Sequence, residues 1–305
     1  MEETAREIDR LLNKAYAPAT HLAYSQGITA FNNFCRQVNQ DSSLPVKPEI
    51  VPHFVAYLSL TGKSHSTAKT YLAALAATHK LNGLPDPTDS FLVKKLMQGF
   101  SRSTPSSDAR LPITFARLKQ LISCLETVCK NSYETKLFKA AFTMAFFGFF
   151  RVSELVGQTH SHQLSRPGIQ SSDIHPSLRG FEVKLRGSKT DQEKKGQSVF
   201  LDLVVDSPDV CPVRAIMDFK QIRQNSKDVF LVHMNSAPLS RYQFQAVLKK
   251  AAAFLNWPSK GYSSHSFRIG AATTAAGNGT SLESIMQRGR WRSGAVKSYI
   301  RLDKI

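Results

Sequence analysis

The chain has 305 residues, 42% of them hydrophobic, which is enough for two units of ordinary size with cores of their own. Its 40 Lys and Arg against 23 Asp and Glu leave a net charge of +17 and a pI near 9.8, a balance that favours a polyanionic partner, nucleic acid before anionic membrane. The most apolar run, 140–150, falls far short of the roughly 20 residues needed to cross a bilayer, and the charged opening MEETAREIDR is not followed by the apolar stretch of a secretory signal. A soluble intracellular protein without a membrane partner is expected. Cys35, Cys124, Cys129 and Cys211 show no paired C-x-x-C spacing, so neither a zinc site nor a disulfide framework is read, and no metal or cofactor is expected.

Residues 1 to about 100 read as several short helices. Leu22, Tyr24, Ile28, Phe31, Phe34 and Val38 recur at helical spacing, with Thr20 as the expected N-cap. PEIVPHFVAYLSLTG makes a second helix. SHSTAKTYLAALAATHKLNG makes a third, opening on Ser and Thr and stopping at Asn82 and Gly83, and DSFLVKKLMQGFSR makes a shorter fourth. Thr20, His21, Lys63, Ser66, Thr67 and Lys69 fall at helix starts, where free N–H groups and the helix dipole favour anions, and these are the expected phosphate contacts of this half.

The polar run 101–112, SRSTPSSDARLP, lacks an apolar period and reads as a linker, with Arg102 and Arg110 placed to lie along a nucleic-acid backbone. Beyond it, ITFARLKQLISCLETV and ETKLFKAAFTMAFFGFFRVSELVG are helical. The second is apolar nearly all round until Arg151, so it should be buried, with Arg151 and Glu154 emerging at its end or on the next turn. SSDIHPSL and FEVKLRGSKTDQEKKGQSVFLDLVV then give strands and a polar turn, a hairpin carrying Lys189, Lys194 and Lys195 in or near its loop. GSKT lacks the rest of a phosphate-binding loop, which excludes a nucleotide triphosphatase reading. CPVRAIMDFKQIRQ and SRYQFQAVLKKAAAFLN return to helix.

The last third concentrates the chemistry. In SHSFRIGAATTAAG, read as a helix capped by Ser264, His265 and Arg268 are three apart and project from one face. Six basic residues follow between Arg288 and Lys304, against the single acid Asp303, with Trp291 and Tyr299 among them.

The order FFRVSEL, RGSKTD, HSFRIGAAT, GRWRSGAVKSYI, behind a helical leading domain, resembles the tyrosine recombinase (phage integrase) family over nearly the whole chain. The wording of CPVRAI, HSFRIGAAT and GRWRSGAVKSYIR looks most like the recombinases of eukaryotic mobile elements of the DIRS, Ngaro and Crypton kinds and their domesticated relatives. The resemblance implies a mainly α protein with a small β-sheet: a helical, SAM-like core-binding domain over 1–104, a linker over 105–112 and an α+β catalytic domain over 113–305, together the two-domain DNA-breaking-rejoining fold. It implies catalytic roles for Arg151, Lys189, His265, Arg268, Trp291 and Tyr299, with Glu154 supporting Arg151 and Tyr299 as nucleophile. Arg288, Arg290 and Arg292 join the expected DNA contacts. Trp291 and Tyr299 are eight apart, one fewer than is usual in the bacterial branch.

The chemistry explains these residue types. Charge accumulates on the nonbridging oxygens of a phosphodiester in the transition state, and two arginines with forked donors stabilise it without a metal. A phenol with a reference pKa of about 10 needs a proton acceptor when it attacks, which His265 would provide, and Lys189 would protonate the leaving 5′-oxygen. The expected product is a 3′-phosphotyrosyl intermediate that conserves bond energy for rejoining. Double-stranded DNA is the expected partner, with a tetramer acting on two sites, in the nucleus if the source is eukaryotic. A DNA-binding descendant without turnover and a type IB topoisomerase-like relaxing enzyme are the rival readings.

Overall fold

The computed structural model describes residues 1–103, 108–160, 163–166, 168–186, 196–223, 228–258 and 260–304, the side chains of 158–160 and 163–166 excepted. The chain divides into two compact units, Met1–Asp108 and Ala109–Ile305. As the sequence leads one to expect, the architecture is mainly helical with a small antiparallel sheet.

The first unit contains α1 (Glu2–Ala15), α2 (Pro18–Gln37), α3 (Ile50–Leu60), α4 (His65–Leu81) and α5 (Phe91–Ser103). Phe31, Phe34, Phe54, Leu58, Leu72, Leu75, Val93 and Phe100 fill its core, and Phe31 meets Phe54 edge-on at 5.2 Å between ring centroids. α4 starts where Ser64 accepts the Thr67 N–H at 3.1 Å, and stops at Asn82, before Gly83 at φ +67°. Its buried His79 is held in one tautomer: Nδ1–H donates to the Leu75 carbonyl at 2.8 Å while Nε2 accepts the Val46 N–H at 3.0 Å.

Two features of this unit depart from the sequence reading. Thr20 is not a cap: α2 begins three residues earlier than that cap would set it, with Ala17 as N-cap and Pro18 at the first position, and the Thr20 N–H already donates to the Ala17 carbonyl at 2.8 Å. The 14-residue helix α1 has no counterpart in the sequence reading; it buries none of its residues, leaving Ile8, Leu11 and Leu12 exposed.

The second unit runs α6 (Phe115–Ser123), α7 (Leu125–Val128), α8 (Ser132–Phe147), α9 (Val152–Leu155), β1 (Gln158–His160), β2 (Gln163–Arg166), β3 (Ile174–Ser177), β4 (Gly180–Leu185), β5 (Gln197–Asp202), α10 (Pro212–Ile222), α11 (Arg241–Phe254), α12 (Ser266–Gly277) and α13 (Leu282–Gly289), with a 3-10 helix at Gly294–Tyr299 and another at Leu302–Lys304. The strands β3, β4 and β5 form an antiparallel sheet in that order, with Val183 opposite Val199 and Leu185 opposite Gln197. β1 and β2 form a separate antiparallel pair that the sequence reading did not anticipate.

α8 is the axle of this unit. Apolar on nearly every side, it is buried from Ala140 through Phe146 and packs against α10, α12 and α6. Phe142 joins Phe244 and Phe267 in an aromatic cluster with centroids 4.9 to 5.5 Å apart. Close contact between α12 and the strand-like segment before α6 depends on Gly270: a Cβ there would lie 1.7 Å from the Ile113 carbonyl oxygen. Backbone bonds from Leu111 to Gly261 at 2.7 Å and from Ile113 to Ser266 at 3.0 Å tie the same segment to the start of α12.

Candidate active site

The long apolar α8 ends at Gly148, and the chain turns sharply before α9. Phe149 adopts φ +49°, a conformation that costs a bulky side chain about 1–3 kcal/mol and is held here by surrounding contacts. The turn delivers Arg151 to the N-cap of α9, where Glu154 accepts its backbone N–H at 2.9 Å and its Nη1 at 2.9 Å. The expected Arg151–Glu154 pair therefore forms, with the Arg151 side chain 23% exposed and that of Glu154 nearly sealed.

Opposite this turn lies α12. Ser264 does not cap it: His265 occupies the N-cap position, and the Ser266 hydroxyl turns back to accept the Ser263 N–H at 3.0 Å. His265 and Arg268 nonetheless share a face. Arg268 is fully buried, with both terminal nitrogens donating to backbone carbonyls, Nη1 to Phe149 and Nη2 to Gly289. Trp291 lies over its guanidinium, 4.0 Å from the ring centroid, and Tyr299 at 5.7 Å. Arg268 forms the floor beneath the Trp291 and Tyr299 rings, its two terminal nitrogens held by these carbonyls while its buried Nε has no hydrogen-bond partner among the described residues. Burial first, then repulsion from Arg151 and Arg290, pushes its pKa down to about 9, which still leaves it charged at neutral pH.

The segment after α13 supplies the remaining groups. Trp291 stacks edge-on to Tyr299 with centroids 4.9 Å apart and touches Phe149 at 6.2 Å. Gly289 makes that placement possible, because a Cβ there would fall 1.7 Å from the Trp291 ring. The 3-10 helix is pinned to α12 by buried Val296 and by Thr273, whose hydroxyl donates to the Tyr299 carbonyl at 3.2 Å and accepts the Arg301 N–H at 3.1 Å, while the Arg301 side chain donates to the Arg110 carbonyl before α6. So held, the half-buried Tyr299 hydroxyl lies 2.8 Å from His265 Nε2.

Arg290, expected among the DNA contacts, is corrected most sharply. It is buried, in a left-handed backbone conformation at φ +58°, and its Nη2 donates to Glu154 Oε2 at 2.8 Å. It also donates to the Gly148 carbonyl at 3.0 Å and the Phe149 carbonyl at 3.2 Å. Its charge is neutralised inside the fold rather than offered to a partner. Burial pulls the Glu154 carboxyl upward, but Arg290 and Arg151 outweigh that and hold it below the usual carboxylate range.

The other expected contacts are distributed as follows. Arg288 and Arg292 are exposed beside the site, Arg288 with its guanidinium 5.5 Å from the Phe149 ring. In the first unit Lys63 is exposed just before the Ser64 cap, and Ser66 and Lys69 are exposed on the opening turns of α4, while Thr67 is engaged with Ser64, hydroxyl to hydroxyl at 2.8 Å. His21 is exposed, with Nε2 3.0 Å from the Asn13 carbonyl, and Arg102 is exposed on the last turn of α5. Arg110 is half-buried. Lys189, Lys194 and Lys195 lie outside the described residues. Among the described residues no group of acidic, His or Cys side chains could hold a metal ion, and no helix is long and apolar enough to cross a membrane.

A helical unit followed by an α+β unit, whose interior arginines lie under a tyrosine paired to a histidine, defines a two-domain DNA-breaking-rejoining fold. The model of the phage integrase N-terminal SAM-like domain matches residues 9–81. An integrase/recombinase xerD homolog of Selenomonas ruminantium is 24% identical over 302 residues, covering 96% of this chain and 84% of that protein. The recombinase cre of Escherichia phage P1 is 24% identical over 278 residues, covering 87% and 79%. Among solved structures, XerH site-specific recombinase bound to a palindromic difH substrate superposes with a TM-score of 0.67 at 14% identity over 92% of this chain and 76% of that one. A lambda integrase dimer bound to a COC′ core site gives 0.67 at 15% over 97% and 75%. The sequence matches support assignment to the tyrosine recombinase (phage integrase) family, and the structural likeness shows the shared fold.

Proposed function

We propose that this chain is a site-specific DNA recombinase that cleaves and rejoins strands through a 3′-phosphotyrosyl intermediate on Tyr299. The observation that carries the reading is the 2.8 Å contact between the Tyr299 hydroxyl and His265 Nε2, with the Arg268 guanidinium against the Tyr299 ring. A phenol deprotonates with difficulty at neutral pH, and an imidazole nitrogen at hydrogen-bond distance is placed to take its proton as the oxygen attacks phosphorus. The Tyr299 oxygen–phosphorus bond forms as the bond to the 5′-oxygen breaks, and the reverse displacement by a 5′-hydroxyl rejoins a strand without ATP.

Arg151, the partly exposed guanidinium of the cluster, is the first donor to the phosphate, with Glu154 fixing its orientation. Arg268 supplies positive potential from below the Trp291 and Tyr299 rings. Trp291 acts by packing, as a wall shared by Arg268 and Tyr299. The general-acid role of Lys189, in the segment joining β4 and β5, rests on the family resemblance.

Duplex DNA is the partner in this reading, supported by the +17 net charge and by the DNA-bound state of the XerH and lambda integrase structures. We extend the proposal to four protomers acting on two duplexes, to kinship with the recombinases of eukaryotic mobile elements, on the wording of HSFRIGAAT and GRWRSGAVKSYIR, and hence to the nucleus. The test is a nicked suicide substrate built on a site recovered by selection from genomic DNA. The wild type should form a covalent protein–DNA adduct and Tyr299→Phe none. Wild type without adduct on any selected site would sink the reading, and plasmid relaxation without recombinants would move it to the topoisomerase class.

A further inference from the structure

Glu154 is shared. One carboxylate oxygen binds Arg151 at 2.9 Å and the other binds Arg290 at 2.8 Å, so a single acid lies between the partly exposed arginine of the site and a buried one. Were Arg151 its only partner, the carboxylate would cancel the charge that Arg151 brings to a phosphate. With Arg290 bound to the other oxygen and Arg268 interacting with all three groups, three guanidiniums and one carboxylate leave the cluster at +2.

Arg290 also ties two strained turns together. Its own backbone is at φ +58° and that of Phe149 at φ +49°, and it donates to the carbonyls of Gly148 and Phe149. The Phe149 carbonyl accepts from Arg268 as well, and Gly289, on the other side of Arg290, accepts from Arg268 Nη2. Trp291, the next residue, thereby takes its place over Arg268, at the head of the segment that leads to Tyr299.

We infer that Arg290 is a positioning residue for strand cleavage: it neutralises the Glu154 charge that would otherwise offset Arg151, and it locks the Trp291 segment to the turn that presents Arg151. The inference rests on the strand-transfer reading above and goes beyond it, because Arg290 never touches the phosphate. Its signature is electrostatic rescue. Removing the Arg290 charge leaves Glu154 to silence Arg151, and removing the Glu154 charge as well returns the deficit.

The experiment compares wild type, Arg290→Met, Arg290→Lys, Glu154→Gln and the double variant Arg290→Met/Glu154→Gln. For each, single-turnover adduct formation on the nicked substrate, duplex affinity and the thermal midpoint are measured. Arg290→Met should lower the adduct rate about 10²-fold with unchanged duplex affinity, comparable to removing a direct electrostatic donor. Arg290→Lys should fall between it and wild type, and the double variant should cleave about tenfold faster than Arg290→Met. An Arg290→Met rate equal to wild type overturns the inference. So does a double variant no faster than Arg290→Met, which would leave Arg290 a purely structural part. If Arg290→Met does not fold, the thermal midpoints identify that outcome and the Lys variant decides: wild-type cleavage by a lysine, which lacks the planar fork that spans Glu154 and the carbonyls together, overturns the locking role. Trp291 emission, read without DNA in a Trp257→Phe background, should shift to the red in Arg290→Met or Arg290→Lys, and no shift in either counts against the locking. A wild type that makes no adduct would fail the strand-transfer reading, while the emission arm still decides whether Arg290 places Trp291.

Discussion

The Tyr299 hydroxyl and His265 Nε2 meet at 2.8 Å although they are 34 residues apart, one at the end of a 3-10 helix and the other at the N-cap of α12. That contact is built rather than incidental. Thr273, two turns along α12 from His265, bonds the Tyr299 carbonyl, and its hydroxyl accepts the Arg301 N–H at 3.1 Å, so the helix carrying the proposed base also holds the backbone of the proposed nucleophile. His265→Ala is expected to slow adduct formation about 10²-fold while leaving duplex affinity intact. Single-turnover cleavage on the nicked substrate measures it, and a rate within a factor of a few of wild type would remove His265 from the proton path.

Arg151 and Arg268 should both matter to cleavage but fail differently when truncated. Arg151→Ala, at a partly exposed position, is expected to cost about 10²-fold in adduct rate with little change in stability. Arg268→Ala should cost at least as much in rate and should also lower the thermal midpoint, because it empties space beneath Trp291, takes a donor from the Gly289 carbonyl and leaves the Phe149 carbonyl to Arg290 alone. Equal stability losses in the two variants would contradict the layered arrangement.

Much of this site was legible before any coordinates. The apolar α8 running into Arg151, and the three-residue interval from His265 to Arg268, carry their periodicity on the surface of the sequence. What stayed hidden depends on contacts between distant segments. Arg290 reads as one more basic residue in a basic run; only the approach of the 148–149 turn, more than a hundred residues upstream, makes it a buried partner of Glu154. The neighbouring glycine misleads further: the left-handed helix end is usually glycine, yet here Arg290 takes it, while Gly289 is needed to clear the Trp291 ring. Ser264 was misplaced as a cap because Ser263, Ser264 and Ser266 all suit a helix start, and the choice among them is made by the turn that seats His265. The helix α1 escaped notice because it buries nothing, so no core pattern announced it.

The two close glycine contacts predict separable defects. Gly270→Ala should destabilise the second unit by about 1–3 kcal/mol or more, since the added methyl meets an immovable backbone carbonyl 1.7 Å away. Gly289→Ala meets the Trp291 ring instead, a side chain that must shift where Gly270 meets backbone. Its expected outcome is a chain of near-normal thermal midpoint whose adduct rate falls because Trp291 no longer lies over Arg268. Denaturation curves and cleavage assays on both variants check the contrast, and an active Gly289→Ala would show that the Trp291 wall is dispensable.

Glu154 gives the fold a pH dependence whose sign is fixed by its partners. Arg290 and Arg151 hold its folded pKa below the unfolded value of about 4.3. A carboxylate with a depressed folded pKa contributes stability that is fully present above the unfolded value and is lost as pH falls through the folded one. Breaking such a buried network at neutral pH by Glu154→Gln should cost about 3–5 kcal/mol, because two guanidiniums lose their charged acceptor. As pH falls through the lowered folded pKa the wild-type carboxylate itself becomes protonated, so the gap between wild type and Glu154→Gln should narrow with acid. Denaturant midpoints for the two proteins at pH 7, 5 and 3 measure that gap. A difference that stays constant across the series would mean that the carboxylate charge contributes nothing to holding Arg151 and Arg290 together.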